Sequence, residues 1–154
     1  MDKIGEELRD RILHPLDYVY DVYVSGQNIF VAAGFDGLYT STDGGVVFTN
    51  PIVVGGGEEA TSVCVAETNK IIYVGSDPGG LYISTDGGLN YTKETTADGL
   101  GSNTVYKVCV SGIGGSSDKV YVATYNGVSI SGNAAVFNFV SSLGPNTVHG
   151  IYVQ

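Results

Sequence analysis

The chain has few basic residues, and that scarcity limits what it can bind. Lys and Arg account for 7 of 154 residues against 16 Asp and Glu, so the net charge is −9 and the pI is near 4.3. A nucleic-acid surface needs a basic stripe, and the basic residues form no cluster. The acidic balance also repels anionic polymers and anionic membranes. We therefore expect neither nucleic acid nor membrane as a partner.

Residue types that carry chemistry are also scarce. The sequence has no Trp, two Cys (Cys64 and Cys109) and two His (His14 and His149), without the spacing of a metal site. No apolar run approaches the about 18 residues of a membrane-spanning helix, and residues 1–17 lack the apolar centre of a secretory signal. We expect no metal, no cofactor, no membrane span, and a cytoplasmic, particle-associated or virion-associated location.

The chain is rich in glycine and contains a repeat. Gly accounts for 23 residues and clusters at turn positions. The segment 37–45 (GLYTSTDGG) returns as 80–88 (GLYISTDGG), a step of 43 residues. Strand-forming repeats of about 40–50 residues are typical of β-propellers, whose blades are four-stranded antiparallel sheets. The predicted fold class is therefore all-β, built from propeller blades.

Strand-forming segments recur at this period. One apolar type, which we interpret as the inner strand of a blade buried on both faces, is followed in each repeat by a second, third and fourth strand. The fourth strands are predicted at 46–49, 89–92 and 136–140. The sequence predicts a partial propeller over residues 18–154, with blades at about 18–52, 61–95 and 104–142 and an extra inner strand at 147–153.

Residues 1–17 differ from the rest of the chain. Ile4, Leu8 and Ile12 recur at the spacing of an amphipathic helix, and Pro15 ends the pattern. We interpret this segment as a flap over one face or edge of the propeller. The alternative is a docking helix for another subunit or another protein.

The turn between the third and fourth strands carries a family resemblance. Two copies of the pattern Ser-x-Asp-x-Gly-x-x-aromatic occur at the blade period, formed by Ser41, Asp43, Gly45 and Phe48 and by Ser84, Asp86, Gly88 and Tyr91. The pattern resembles the Asp-box, or BNR repeat, of sialidases, other glycosidases and many non-catalytic propellers. Asp bonds backbone N–H groups ahead of it in tight turns, and Gly accepts positive φ. We interpret both copies as structural turn locks.

A second resemblance covers blade three. Residues 98–105 (DGLGSNTV) followed by 120–128 (VYVATYNGV) are similar to the regulator-type propeller repeat of bacterial sensor ectodomains. Both resemblances imply blades, and neither implies a particular ligand.

Catalysis finds little support in the sequence. The Asp-box sialidases bind their substrate carboxylate with three arginines, whereas Arg9 and Arg11 are the two arginines of this chain. A glycosidase needs a pair of carboxylates at a set separation, and no spacing here singles out a pair. We predict no catalytic residue.

The loops opposite the Asp-boxes are where propellers usually bind ligands. An aromatic ring beside a polar group suits a sugar, so the candidate ligand-binding residues are Phe35, Asp36, Asp77, Tyr125 and Asn126. The leading hypothesis is a non-catalytic protein-interaction or structural module. A carbohydrate-binding, lectin-like propeller is the alternative, and a glycoside hydrolase-related propeller is a further one.

Three blades are too few to close a ring, since closed propellers have roughly four to eight. The flanks of such a partial ring would expose apolar blade faces, and exposed apolar patches mark association surfaces. We expect a homo-oligomer, either dimer or trimer, or stacking on another propeller-bearing protein. The alternative is that the chain is a fragment of a longer propeller, and the sequence does not separate these arrangements.

Overall fold

The computed structural model of the protein describes residues 18–49, 51–67, 70–111, 118–132, 136–140, 143 and 146–153. The N-terminal helix predicted at 1–17 lies outside them. The described part of the chain is built of β-strands, apart from one turn of 3-10 helix at Thr96–Asp98. Within that part, no helix has the length and apolar character needed to span a membrane.

Three antiparallel sheets follow one another along the chain, and in each the strands lie in sequence order. This meander is the topology of a propeller blade, so the predicted fold class is confirmed. The strands are β1 (Asp21–Ser25), β2 (Asn28–Ala32) and β3 (Leu38–Ser41) in blade one; β4 (Glu59–Ala66), β5 (Ile71–Asp77), β6 (Gly80–Ser84) and β7 (Thr92–Glu94) in blade two; and β8 (Val105–Ser111), β9 (Lys119–Thr124), β10 (Gly127–Ser131) and β11 (Asn138–Phe139) in blade three.

The repeated glycine before the third strand has a steric cause. Gly37 and Gly80 have φ of +93° and +94°. A Cβ on Gly37 would collide with the Ile52 carbonyl oxygen, and one on Gly80 would collide with the Glu94 carbonyl oxygen. The segment that follows the Asp-box turn therefore passes so close to the start of the third strand that only Gly fits there.

The fourth strands are shorter than the sequence predicts. In blade two, the backbone N–H groups of Leu89 and Asn90 donate hydrogen bonds to Asp86 Oδ1, so pairing with β6 begins only at Thr92. In blade one the strand predicted at 46–49 is absent among the described residues. An isolated bridge between Leu38 and Ile52 takes its place.

Two apolar clusters hold the blades together. One lies between blades one and two and includes Ala32, Leu38, Val63 and Val74. The other lies between blades two and three and includes Leu81 and further residues of both blades, among them Cys64, Tyr73, Val108 and Val122. The core therefore sits between the sheets, as it does where propeller blades stack.

Two predictions about inner strands are wrong. β1 is not buried on both faces, because Val22 and Val24 are exposed, whereas all of β4 after its first residue is buried. Residues 146–153, called segment 146–153 below, form no strand although an inner strand was predicted at 147–153. An extended segment becomes a ladder only when a second strand pairs with it, and no described residue does so here.

Candidate functional site

The Asp-box of blade one forms a closed network of hydrogen bonds. The buried Ser41 hydroxyl donates to Asp43 Oδ1 (2.8 Å) and accepts from Gly45 N (3.0 Å). Asp43 Oδ1 also accepts from Val47 N (3.0 Å). These bonds hold the pKa of Asp43 below its usual value, with the Val47 N–H as the largest cause. Phe48 is half-buried beside Gly45.

The Asp-box of blade two repeats this network and adds one contact. Ser84 donates to Asp86 Oδ1 (2.9 Å) and accepts from Gly88 N (2.8 Å). Asn90 then donates twice to Asp86, from its backbone N (2.9 Å) and from its side-chain Nδ2 (2.8 Å). The Asn90 amide is the main reason that the pKa of Asp86 falls to about 2. Burial raises the pKa of the following aromatic, Tyr91, to about 12.

Both carboxylates therefore serve their own turns. A carboxylate that accepts several backbone and side-chain donors is held in its charged form and is poorly suited to deliver a proton near neutral pH. The glycines of the two turns have positive φ, between +76° and +94°. The role of these residues as turn locks stays a prediction.

The candidate ligand residues lie on the turns between the second and third strands of their blades, except for Asp77, which is the last residue of β5. Phe35 and Tyr125 are well exposed, at 56% and 61%. The polar candidates are tied to the protein itself. Asp36 Oδ2 accepts from the Tyr39 hydroxyl (3.2 Å), and Asp77 Oδ1 accepts from Thr104 Oγ1 (2.8 Å).

Asn126 is likewise part of its own turn. Its Nδ2 donates to the Gly101 carbonyl (3.2 Å) and its backbone N donates to Thr124 Oγ1 (3.2 Å). The two candidate aromatic rings, Phe35 and Tyr125, are therefore exposed, whereas the polar candidates beside them form hydrogen bonds within the protein. Among the residues the structure describes, the hydrogen bonds of Asp36, Asp77 and Asn126 run to Tyr39, Thr104, Gly101 and Thr124 and not to candidates of another blade.

A polar cluster on the inner strands escaped the sequence analysis. Lys107 Nζ on β8 lies 2.7 Å from both carboxylate oxygens of Asp21 on β1. Asp21 Oδ2 also accepts from Ser62 Oγ and from Val63 N, both at 2.9 Å. Ser62 in turn accepts from Val108 N (3.1 Å). We call Asp21, Ser62 and Lys107 the clasp, because they join all three blades.

The register of the sheets explains the clasp. Each of its residues immediately precedes a valine that pairs with a second-strand valine, in the pairs Val22–Val31, Val63–Val74 and Val108–Val122. The three residues are thus equivalent members of the repeat. The sequence signal for this cluster was the presence of opposite charges, on Asp21 and Lys107, at the same position of the repeat.

The side of blade one that faces away from blade two is exposed and apolar. It is formed by Val22, Val24, Ile29 and Val31, and we call it the outward face. By register these residues match Val63, Val65, Ile72 and Val74 of blade two, which pack against blade one. Val22 and Val24 are 51% and 59% exposed, whereas Val63 and Val65 are 2% and 6% exposed.

A small apolar cavity of about 40 Å³ adjoins the outward face. It is lined by Val19, Val31, Ala33, Tyr39 and Phe48. The blade-one flank thus combines exposed valines with a recess whose accessible lining is apolar.

Comparison with known proteins supports the fold. No family model matches the chain, and no curated protein matches it by sequence. The solved structures that resemble it include an ancestral GH74 enzyme (TM-score 0.60, 21% identity), YCF48 from Cyanidioschyzon merolae (0.56, 15%) and YCF48 bound to D1 peptide (0.59, 14%). These are β-propeller proteins. The chain has a β-propeller-type fold.

The likeness extends over most of this chain but over a minor part of each neighbour. The matches cover 79%, 80% and 80% of this chain and 18%, 36% and 40% of the other chains, in the same order. At these identities the likeness shows the fold alone, because propellers of one architecture serve unrelated functions.

Proposed function

We propose that this protein is a non-catalytic interaction module, a partial β-propeller that covers its exposed blade face by self-association. The observation that carries the proposal is the outward face of blade one. Its residues occupy the positions that bury blade two against blade one, yet Val22 and Val24 are more than half exposed.

The physical argument rests on buried area. Burying a valine side chain stabilises a complex by about 1.5–3 kcal/mol before the costs of association are subtracted. Two valines and the adjoining apolar cavity form a contiguous patch, which is the surface type that marks an interface. A second copy of this chain is a suitable partner, because closed homo-oligomers are the common outcome of self-complementary surfaces.

The structural neighbours are compatible with this role. One of them is a YCF48 protein in complex with a peptide, so a propeller of this shape can serve as a binding body. In our proposal the Asp-boxes stabilise the turns, the clasp stabilises the packing of the inner strands, and the outward face contacts a second copy of the chain.

Light scattering after size exclusion, at several protein concentrations, tests the proposal. We expect twice or three times the monomer mass of 16.1 kDa, falling to the monomer mass in the Val22→Lys/Val24→Lys variant. The matched control is Val46→Lys/Val47→Lys, which changes two equally exposed valines on the Asp-box turn and should keep the assembly. A monomer at all concentrations, or equal effects of the two variants, would contradict self-association through this face.

The two exposed rings favour one second candidate, carbohydrate binding. Phe35 and Tyr125 could stack on sugar rings, although Asp36 and Asn126 are engaged by Tyr39 and Gly101. A glycan array probed with the wild type and with Phe35→Ala/Tyr125→Ala tests this candidate. Binding that the double variant loses would support it, and an array without hits at high protein concentration would remove it.

A further inference from the structure

Segment 146–153 docks on blade three in the way that blade three docks on blade two. Gly127 N donates to the Asn146 carbonyl at 2.8 Å, and Gly80 N donates to the Asn103 carbonyl at the same distance. Asn146 follows Asn103 by one repeat of 43 residues. The start of the segment therefore occupies the place where a next blade begins.

The neighbouring residue repeats this correspondence. Thr147 Oγ1 donates to the Tyr125 carbonyl (3.0 Å), and Thr104 Oγ1 donates to Asp77 Oδ1 (2.8 Å). Tyr125 and Asp77 are equivalent, since each lies three residues after the paired valines Val122 and Val74.

Further contacts hold the segment against the far side of blade three. The His149 ring lies 4.6 Å from the Tyr106 ring, centroid to centroid, and the Cys109 thiol lies 3.1 Å from the Ile151 carbonyl oxygen. Segment 146–153 therefore lies against blade three at the position where the inner strand of a next blade would begin.

Segment 146–153 has exposed positions at which a second strand could pair with it. Tyr152 is 83% exposed, and a Cβ added to Gly150 would meet no atom within 4 Å. In the three blades, each inner strand pairs antiparallel with such a second strand, namely β2, β5 or β9. Within the described residues, segment 146–153 lacks such a partner strand.

The chain's own repeats indicate the chemistry of a second strand that could pair with segment 146–153. The second strands begin Asn-Ile-Phe-Val-Ala, Ile-Ile-Tyr-Val-Gly and Lys-Val-Tyr-Val-Ala, which are runs of β-branched and aromatic residues. Exposed inner-strand backbone takes such segments by strand addition, in which main-chain hydrogen bonds supply affinity and alternate side chains supply specificity.

We propose that segment 146–153 is a strand-acceptor site, which binds an extended β-branched and aromatic segment of a partner protein as the second strand of a fourth blade. The site lies on the side of blade three that faces away from blade two, so it is separate from the outward face of blade one. It deepens the proposed interaction function, but it does not require self-association.

A labelled peptide with the sequence of residues 118–124 (DKVYVAT) tests the proposal by fluorescence anisotropy. We expect saturable one-to-one binding to the full chain with half-saturation below about 1 mM. The control peptide carries Val122→Pro, which removes a ladder donor and disfavours pairing, and it should bind at least tenfold more weakly. The full chain is used as the wild type and as Val22→Lys/Val24→Lys, so that failed self-association cannot be mistaken for failed peptide binding.

Two protein variants locate the site. Gly150→Pro/Tyr152→Pro should abolish binding, because proline interrupts a strand, whereas Gly150→Ala/Tyr152→Ala keeps the N–H groups and should retain most of it. Hydrogen exchange should show new protection at residues 147–153. Absent binding of the wild type, unchanged binding of the proline variant, or protection confined to β8 and β10 would overturn the proposal, the last because the peptide would then be replacing β9.

Discussion

Removal of the Asp21 carboxylate should strongly destabilise the protein. Asp21 and Lys107 side chains are 13% and 31% exposed, and the carboxylate accepts from Lys107, Ser62 and Val63. Asp21→Ala therefore leaves the buried Ser62 hydroxyl and Val63 N–H without their acceptor. Each such loss costs about 1–3 kcal/mol.

The ion pair adds less than a fully buried pair would. Loss of one partner of a buried pair costs about 3–5 kcal/mol, but the Lys107 ammonium can turn into water, so its share is nearer that of a surface pair. Together these give a loss of about 3 kcal/mol for Asp21→Ala. For a chain of this size that corresponds to a fall in Tm of about 6–12 °C.

Thermal and denaturant unfolding of Asp21→Ala, Lys107→Ala and the double variant would measure the effect. We expect a coupling energy of about 1 kcal/mol between the two sites. The control is Lys70→Ala, whose exposed pair with Glu67 should contribute less than about 1 kcal/mol. Additive single effects, or an Asp21→Ala loss no larger than that of the control, would refute the clasp as a stabilising contact.

Three further predictions concern the turns and the tyrosines. Ser84→Ala should lower stability to denaturant by about 1–3 kcal/mol, since it leaves Gly88 N without its acceptor, while the exposed Thr85→Ala should stay within about 0.5 kcal/mol of wild type. The Asp86 carboxyl should titrate by NMR at about 2 and move upward in Asn90→Ala. Because that pKa is lowered by folding, the stability it supplies should be complete above pH 4 and disappear toward pH 2; a deficit of Asp86→Asn that is constant over this range would contradict this. Tyr73 and Tyr91, whose burial raises the pKa to about 12, should ionise above the usual pH range of tyrosine in an ultraviolet titration, and the stability from their neutral forms should fall between pH 10 and 12.

The repeat made the architecture predictable. Period, turn glycines and strand-forming runs are local properties, so blades and Asp-box turns could be inferred from residues 37–45 and 80–88 alone. The roles of Ser41 and Asp43 also follow from local spacing, because their partners lie within four residues.

The features that depend on packing were not predictable in the same way. The Asp21–Lys107 contact joins residues 86 apart in sequence, and no local pattern indicates which charges meet. Burial of β1 was predicted from its apolar character, but burial depends on a neighbouring blade. The prediction of Asp36 as a ligand-binding residue did not include its hydrogen bond with the Tyr39 hydroxyl. The hydrogen-bonding partners of a turn residue depend on the strand that follows the turn.

The clasp has a consequence for how the array unfolds. In repeat proteins each unit normally contacts its nearest neighbours, so a terminal unit can detach at the cost of one interface. Here blade one is bonded to blade two through Ser62 and to blade three through Lys107. Detaching it breaks contacts with both, which brings the free energy of local opening closer to that of global unfolding. Hydrogen exchange should therefore show that the three blades open as one cooperative unit. The outward face of blade one then belongs to a blade that does not unfold separately from the other two.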